Sequence, residues 1–259
     1  MISDYFKLAF GNLKHRGIRS WLTILGIFIG IAAVVALISM GAGLKAAVLG
    51  QFGTLSVDKL TIQNKGTGFG PPGSTVVEKL NNHDVDIIKK VQGVDLVIPR
   101  LIRIVKVEYN KIPSYTYVGD LPDNKKEADI VYESFNVDVS EGRLLKPEDR
   151  GKVLLGYDFA KTNVFEKDLS VGKTIQINGK DFQIIGILKK SSNFQINNVI
   201  IIPTKDLQEL LNIKDEWDLI VAQVTDKNKI QEIAIDIENA LRKDRNEKLG
   251  EETSSVQTP

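Results

Sequence analysis

The chain has no cysteine and only two histidines, two methionines and two tryptophans in 259 residues. Without cysteine there is no disulfide, no thiolate nucleophile and no cysteine-ligated zinc. His15 and His83 are the only imidazoles, and their settings, a basic segment and the start of a helix, offer no Ser-His-Asp arrangement. No Asn-x-Ser/Thr sequon occurs, which fits a bacterial or archaeal surface. Charge of one sign is scarce as well, for the net charge is only +1. That balance hides an asymmetry: Lys7, Lys14, Arg16, Arg19 and Lys45 against Asp4 give residues 1–45 a charge of +4 and leave −3 for the rest. A slightly acidic body lacks the basic face a nucleic-acid binder requires, so nucleic acid is excluded as a partner.

What the sequence does have is one long uncharged run, residues 21–44. At about 1.5 Å per residue, some 20 apolar residues cover the roughly 30 Å hydrocarbon core of a bilayer, and a helix satisfies its own backbone there. A cleaved signal peptide would have a shorter apolar region nearer the N-terminus. The reading is therefore a membrane-spanning helix over 21–44, preceded by an amphipathic interfacial helix over 1–20. The basic residues Lys7, Lys14, Arg16 and Arg19 sit beside the lipid. By the positive-inside rule the N-terminus is cytoplasmic and the C-terminal body extracytoplasmic, in the cell membrane. Gly26, Gly30 and Ala33 form a stripe of small residues on which another membrane helix could pack.

After Lys45 the helix is expected to continue through 46–52. Residues 57–63 alternate like a half-buried strand, and 66–73 hold four glycines and two prolines in a loop. That loop is not a phosphate cradle, because proline lacks the backbone donor and no Lys-Ser/Thr helix opens on it. Asn82 or Asp84 is expected to cap a helix closed by Gly93; His83, Asp84 and Asp86 there read as capping and dipole chemistry and not as a metal site. Strands follow at 96–98, 102–109 and 114–118, the last two joined across Asn110-Lys111. Residues 120–129 read as a charged surface loop, and 158–164 as a short helix. Gly172-Lys173-Thr174 has the ending of a P-loop, but Lys167 stands where its first glycine belongs. Asn178-Gly179 then turns a two-residue hairpin instead of opening a helix. Residues 198–202 and 219–224 are buried strands. Pro203-Thr204 starts a helix, and Ile230, Ile233, Ile237 and Leu241 line one face of another. Carboxylates are scattered evenly, as on a solvated surface, so no catalytic, cofactor-binding or metal residues are assigned and no enzyme is expected.

The fold class is α+β: one N-terminal transmembrane helix, then a two-part body over 45–250 with a strand-rich insert at roughly 105–200, and a tail at 251–259. The succession Val137-Asp-Val-Ser-Glu-Gly-Arg-Leu-Leu145, Lys152-Val-Leu-Leu-Gly-Tyr-Asp-Phe-Ala160, residues 169–188, Val199-Ile-Ile-Ile-Pro203 and Ile237-Glu-Asn-Ala-Leu-Arg242 resembles MacB/FtsX-type ABC transporter permeases. The resemblance covers the first membrane helix and a MacB-like periplasmic core domain. It implies porter and sabre subdomains, a permease homodimer, and a cytoplasmic ABC ATPase that binds ATP on a separate subunit while the outer domain engages substrate or partner. It also implies membrane lipid as a neighbour and, where an outer membrane exists, a periplasmic adaptor. Family members continue with three more spanning helices, so the resemblance implies a permease fragment or a shortened relative. The other reading of the same residues is a single-pass anchored binding or sensor domain.

Overall fold

The computed structural model describes residues 17–52, 58–65, 79–161, 163–191 and 193–258. They fall into two compact units that divide between Gly50 and Gln51. The first holds all but the last two residues of helix α1, Ile18–Phe52. Within it Trp21–Gly41 is long and apolar enough to cross a bilayer. Side chains along this stretch, Leu22, Ile27, Phe28 and Leu37 among them, are exposed. A water-soluble monomer rarely leaves so long an apolar column uncovered, and lipid tails would cover it.

The second unit contains two sheets. β1 (Lys59–Asn64), β2 (Val94–Arg100), β10 (Leu219–Val224) and β11 (Ser254–Gln257) form an antiparallel sheet in the order β11–β1–β10–β2, drawn from both ends of the body. Leu60 and Ile62 of β1 and Ile220 and Ala222 of β10 share a core with Val85 and Ile88 of α2 (Asn82–Lys89) and with Ile233, Ile237 and Leu241 of α7 (Ile230–Asp244). Both helices bury a three- and four-residue stripe, as their periodicity predicts. On Ile98, Leu219 and Val221 of this sheet packs Val131 of α3 (Lys125–Ser134).

The middle of the chain supplies β3 (Ile102–Tyr109), β4 (Ile112–Leu121), β5 (Val139–Gly142), β6 (Lys152–Leu155), β7 (Thr174–Ile177), β8 (Lys180–Leu188) and β9 (Ile200–Pro203). Their order is β5–β8–β6–β9–β4–β3–β7, and β7 also pairs with β8. Six strands therefore close into a small barrel, with β5 laid along the far end of β8. The nine residues of β8 make this possible: 180–183 pair with β7, 183–187 with β6, and 186–188 with β5. Val105, Val107, Val118, Val153, Leu155, Phe182, Ile184, Ile200 and Ile202 are buried in the core. Two hairpins give the barrel its local order. Asn110 and Lys111 have φ of +53° and +64°, and Asn178 and Gly179 +47° and +83°. Positive φ at both central residues matches the twist of the flanking strands. Phe165, at the end of a 3₁₀ turn (Asn163–Phe165), closes the core edge-on to Tyr109 and Phe159.

The structure departs from the sequence reading at four places. Residues 120–129 are not a loop: β4 runs through Leu121, and Asn124 caps α3 by accepting from the Lys126 N–H. The 251–259 tail contains β11, an edge strand whose only apolar side chain is Val256. Helix α2 is capped by Asn81, not Asn82 or Asp84. Asn81 accepts from the Asp84 N–H at 3.1 Å, and Asp84 accepts from the Asn81 N–H at 2.9 Å. The same helix ends at Lys89 with Lys90 as its C-cap, and Gly93, at φ +92°, serves the turn into β2. In place of one helix at 158–164 there are α4 (Tyr157–Ala160) and the 3₁₀ turn. The remaining helices are α5 (Phe194–Asn198) and α6 (Thr204–Leu211), the latter starting directly after Pro203.

Candidate functional site

The two sheets meet where the chain crosses from β2 to β3 through one residue, Leu101, which is fully buried. Four charged side chains, Arg100, Arg103, Asp120 and Asp218, converge there. Asp120, at the end of β4, accepts from Arg100 Nε and from the Leu101 N–H, both at 2.9 Å. Its other oxygen accepts from Thr204 Oγ1 at 2.7 Å, and its carbonyl accepts from Arg100 Nη2 at 2.6 Å. Asp218, immediately before β10, accepts from the Ile102 N–H at 2.8 Å and pairs with Arg103. The Asp218 N–H donates to the Arg100 carbonyl at 2.9 Å, and the Asp120 N–H to the Leu101 carbonyl at 3.1 Å. Asp120 and Asp218 are both 0% exposed. The Leu101 N–H and carbonyl, the Ile102 N–H and the Arg100 carbonyl thus each have a partner from another part of the chain, as burial demands.

Charge around the seam is balanced but strained by dehydration. Burial pulls the Arg103 guanidinium down from its ordinary pKa, with Glu216, 3.4 Å away, opposing the shift. Lys79 is pulled down by burial and by the Arg103 charge. These carboxylates hold guanidinium groups and peptides in place. The expectation of evenly solvated carboxylates is corrected here: Asp84, Asp120, Asp149, Asp206 and Asp218 are buried. Each has a basic partner, Asp84 on Arg245, Asp149 on Arg143 and Asp206 on Arg150.

The motif residues are structural in the same sense. Arg143 grips Asp149 with two bonds of 2.5 and 2.8 Å, and Lys152 Nζ and the Lys146 N–H add bonds of 2.7 and 2.9 Å. The Arg143 guanidinium, with these donors, holds the Asp149 carboxyl well below the usual carboxylate range. Gly156 lies so close to the Asn197 carbonyl that a Cβ would sit 2.4 Å from its oxygen. The Gly172 N–H of the Gly-Lys-Thr triplet is already given to the Ile184 carbonyl at 2.8 Å, so it is not free to receive a phosphate. His83 lies beside Asp244, 3.1 Å away, and Asp84 is taken by Arg245. Among the described residues no group of three or more metal-ligating side chains comes together.

Gly26 and Gly30 lie on α1, and a Cβ added at either would meet nothing within 4 Å; Ala33 follows on the same exposed helix. Arg19 falls in the first turn of α1, while Lys7, Lys14 and Arg16 lie outside the described residues. The seam was not visible in this way. Its signal was a lone charge abutting an apolar strand: Arg100 after Val-Ile-Pro, Asp120 after Val-Gly, and Asp218 before Leu-Ile-Val.

The MacB-like periplasmic core domain family matches residues 20–240. An uncharacterized ABC transporter permease of Methanocaldococcus jannaschii is 33% identical over 99% of this chain. The macrolide export ATP-binding/permease protein MacB of Campylobacter fetus is 26% identical over 76% of it. The chain spans 62% of the first relative's length and 30% of the second's. In fold, the body is similar to the periplasmic region of MacB from Actinobacillus actinomycetemcomitans, at TM-score 0.58 and 17% identity over 79% of this chain and 90% of that one. It is also similar to the extracellular domain of the ABC-type transporter YknZ from Gram-positive bacteria, at TM-score 0.56 and 15% identity over 77% of this chain and all of that one. With an apolar helix of spanning length leading into a body of this fold, the chain belongs to the MacB-like periplasmic core domain family, whose relatives include ABC transporter permeases.

Proposed function

We propose that this chain is the first membrane helix and outer domain of a permease in a mechanotransmission-type ABC transporter. The observation that carries the reading is the family match that runs through both the apolar helix and the two-sheet body. ATP is bound and hydrolysed by a cytoplasmic ATPase partner, and two permease copies work as a dimer. The basic start of the chain faces the cytoplasm and the body lies outside, where it engages its substrate or partner, including an adaptor if the host has an outer membrane. Movement of the membrane helices is passed to the body, so work is done beyond the bilayer without the body binding a cofactor. The stripe at Gly26, Gly30 and Ala33 is where a further membrane helix packs, and Lys7, Lys14, Arg16 and Arg19 bind lipid headgroups.

The reading is supported by the chemistry of the body, in which conspicuous charges are committed to internal ion pairs. Its test is association: the complete permease carrying this segment, purified in detergent, is expected to retain the ATP-binding protein encoded beside it. A permease that purifies alone, under conditions that keep other transporter complexes intact, contradicts the proposal.

A further inference from the structure

We infer that the seam around Leu101 is a rigid joint that makes the barrel and the four-stranded sheet turn as one body. The chain crosses between the sheets twice. On the outward crossing a single residue links β2 to β3, and hinge motion needs several residues free to change φ and ψ. Leu101 is not free. Its N–H is held by Asp120, its carbonyl by the Asp120 N–H, and the next N–H by Asp218. The two carboxylates belong to different sheets, Asp120 to the barrel strand β4 and Asp218 to the lead-in of β10. Arg100 and Arg103, one on each side of Leu101, neutralise them.

The return crossing, after α6, is tied as well. The single Thr204 hydroxyl hydrogen at the start of α6 is shared between Asp120 and the Leu121 carbonyl, 2.7 and 2.8 Å away. Just before β10 the Trp217 N–H donates to the Leu80 carbonyl at 2.7 Å, and its indole N–H to Asn82 Oδ1 at 2.9 Å. Asp215 accepts from the Asn82 N–H at 2.7 Å. Bending the joint would break several charge-assisted bonds of the buried Asp120 and Asp218 together. The purpose of such stiffness rests on the mechanical role proposed above, since a soft joint would dissipate a push on the sheet before it reached the barrel. The stiffness itself does not depend on that role.

The absence of native cysteine makes the joint directly measurable. In the full chain, Tyr115→Cys on the barrel and Ile235→Cys on α7, both at exposed positions, take spin labels for pulsed dipolar distance measurement. The parent is expected to give one narrow distance distribution. Asp120→Asn with Asp218→Asn, isosteric but without the carboxylate charges, is expected to broaden it about twofold while circular dichroism stays unchanged. If that variant does not fold, Thr204→Val, which removes one hydroxyl from the joint, carries the same test with a smaller broadening. A folded variant that loses thermal stability but keeps the parent's width overturns the inference, because the charges then stabilise the fold without stiffening the joint. Loss of ATPase association would sink the transporter reading and leave this width measurement standing.

Discussion

Asp120→Ala is expected to destabilise the body by about 3–5 kcal/mol, the range for removing one partner of a buried ion pair. The cost comes from what is left behind. Arg100 keeps its charge in a site it cannot leave, and the Leu101 N–H loses its acceptor while Thr204 keeps only the Leu121 carbonyl. A buried donor without a partner costs about 1–3 kcal/mol on its own. Arg100→Met with Asp120→Leu, which removes both charges together, is expected to recover part of the loss, because the dehydration of the pair disappears with it. Urea unfolding of the full chain in detergent, followed through Trp217 fluorescence, measures both. A midpoint shift equivalent to less than about 1 kcal/mol for Asp120→Ala would mean that the seam is wetter than its geometry indicates.

Gly142→Ala is expected to be nearly as damaging for a different reason. Gly142 has φ +74°, and an added Cβ would lie 2.1 Å from the Ile185 carbonyl oxygen. The left-handed backbone alone costs an L-residue about 1–2 kcal/mol, and relieving the overlap requires β5 to move off β8, for a total of about 3 kcal/mol or more. Gly172→Ala is the internal control. Its φ is +87°, but a Cβ there meets nothing within 4 Å, so only the backbone cost of about 1–2 kcal/mol applies. Thermal unfolding of the two variants should differ clearly, since a body of this size loses roughly 2–4 °C per kcal/mol. Equal melting temperatures would show that the β5–β8 contact is loose enough to yield.

Both variants touch features that differ in how readable they are. Gly142 stands in the Glu-Gly-Arg succession; what the sequence does not show is that the carbonyl of Ile185, 43 positions on, presses against it. The two hairpins were legible because Asn-Lys and Asn-Gly act locally on backbone dihedrals. So was α7, whose Ile230, Ile233, Ile237 and Leu241 repeat on one face over about three turns. Barrel closure was not, since it depends on β7 pairing with both β3 and β8, and no local pattern encodes a second partner. The charges at 120–129 masked α3, whose buried stripe is only Ala128 and Val131. Asp120 and Asp218 looked like any surface carboxylates until the fold brought Arg100 and Arg103 beside them. The family, by contrast, was legible in full, because its signature is a succession of turns and strands whose order survives at low identity.

The measurement that tests the account most directly is the sidedness of the body. Tyr115→Cys in the otherwise cysteine-free chain places a single thiol on the exposed outer face of β4. Spheroplasts expressing it are treated with a membrane-impermeant maleimide, before and after lysis. The account predicts full labelling before lysis, with the body outside the membrane and the basic start within. Labelling that appears only after lysis would place the body in the cytoplasm and contradict it.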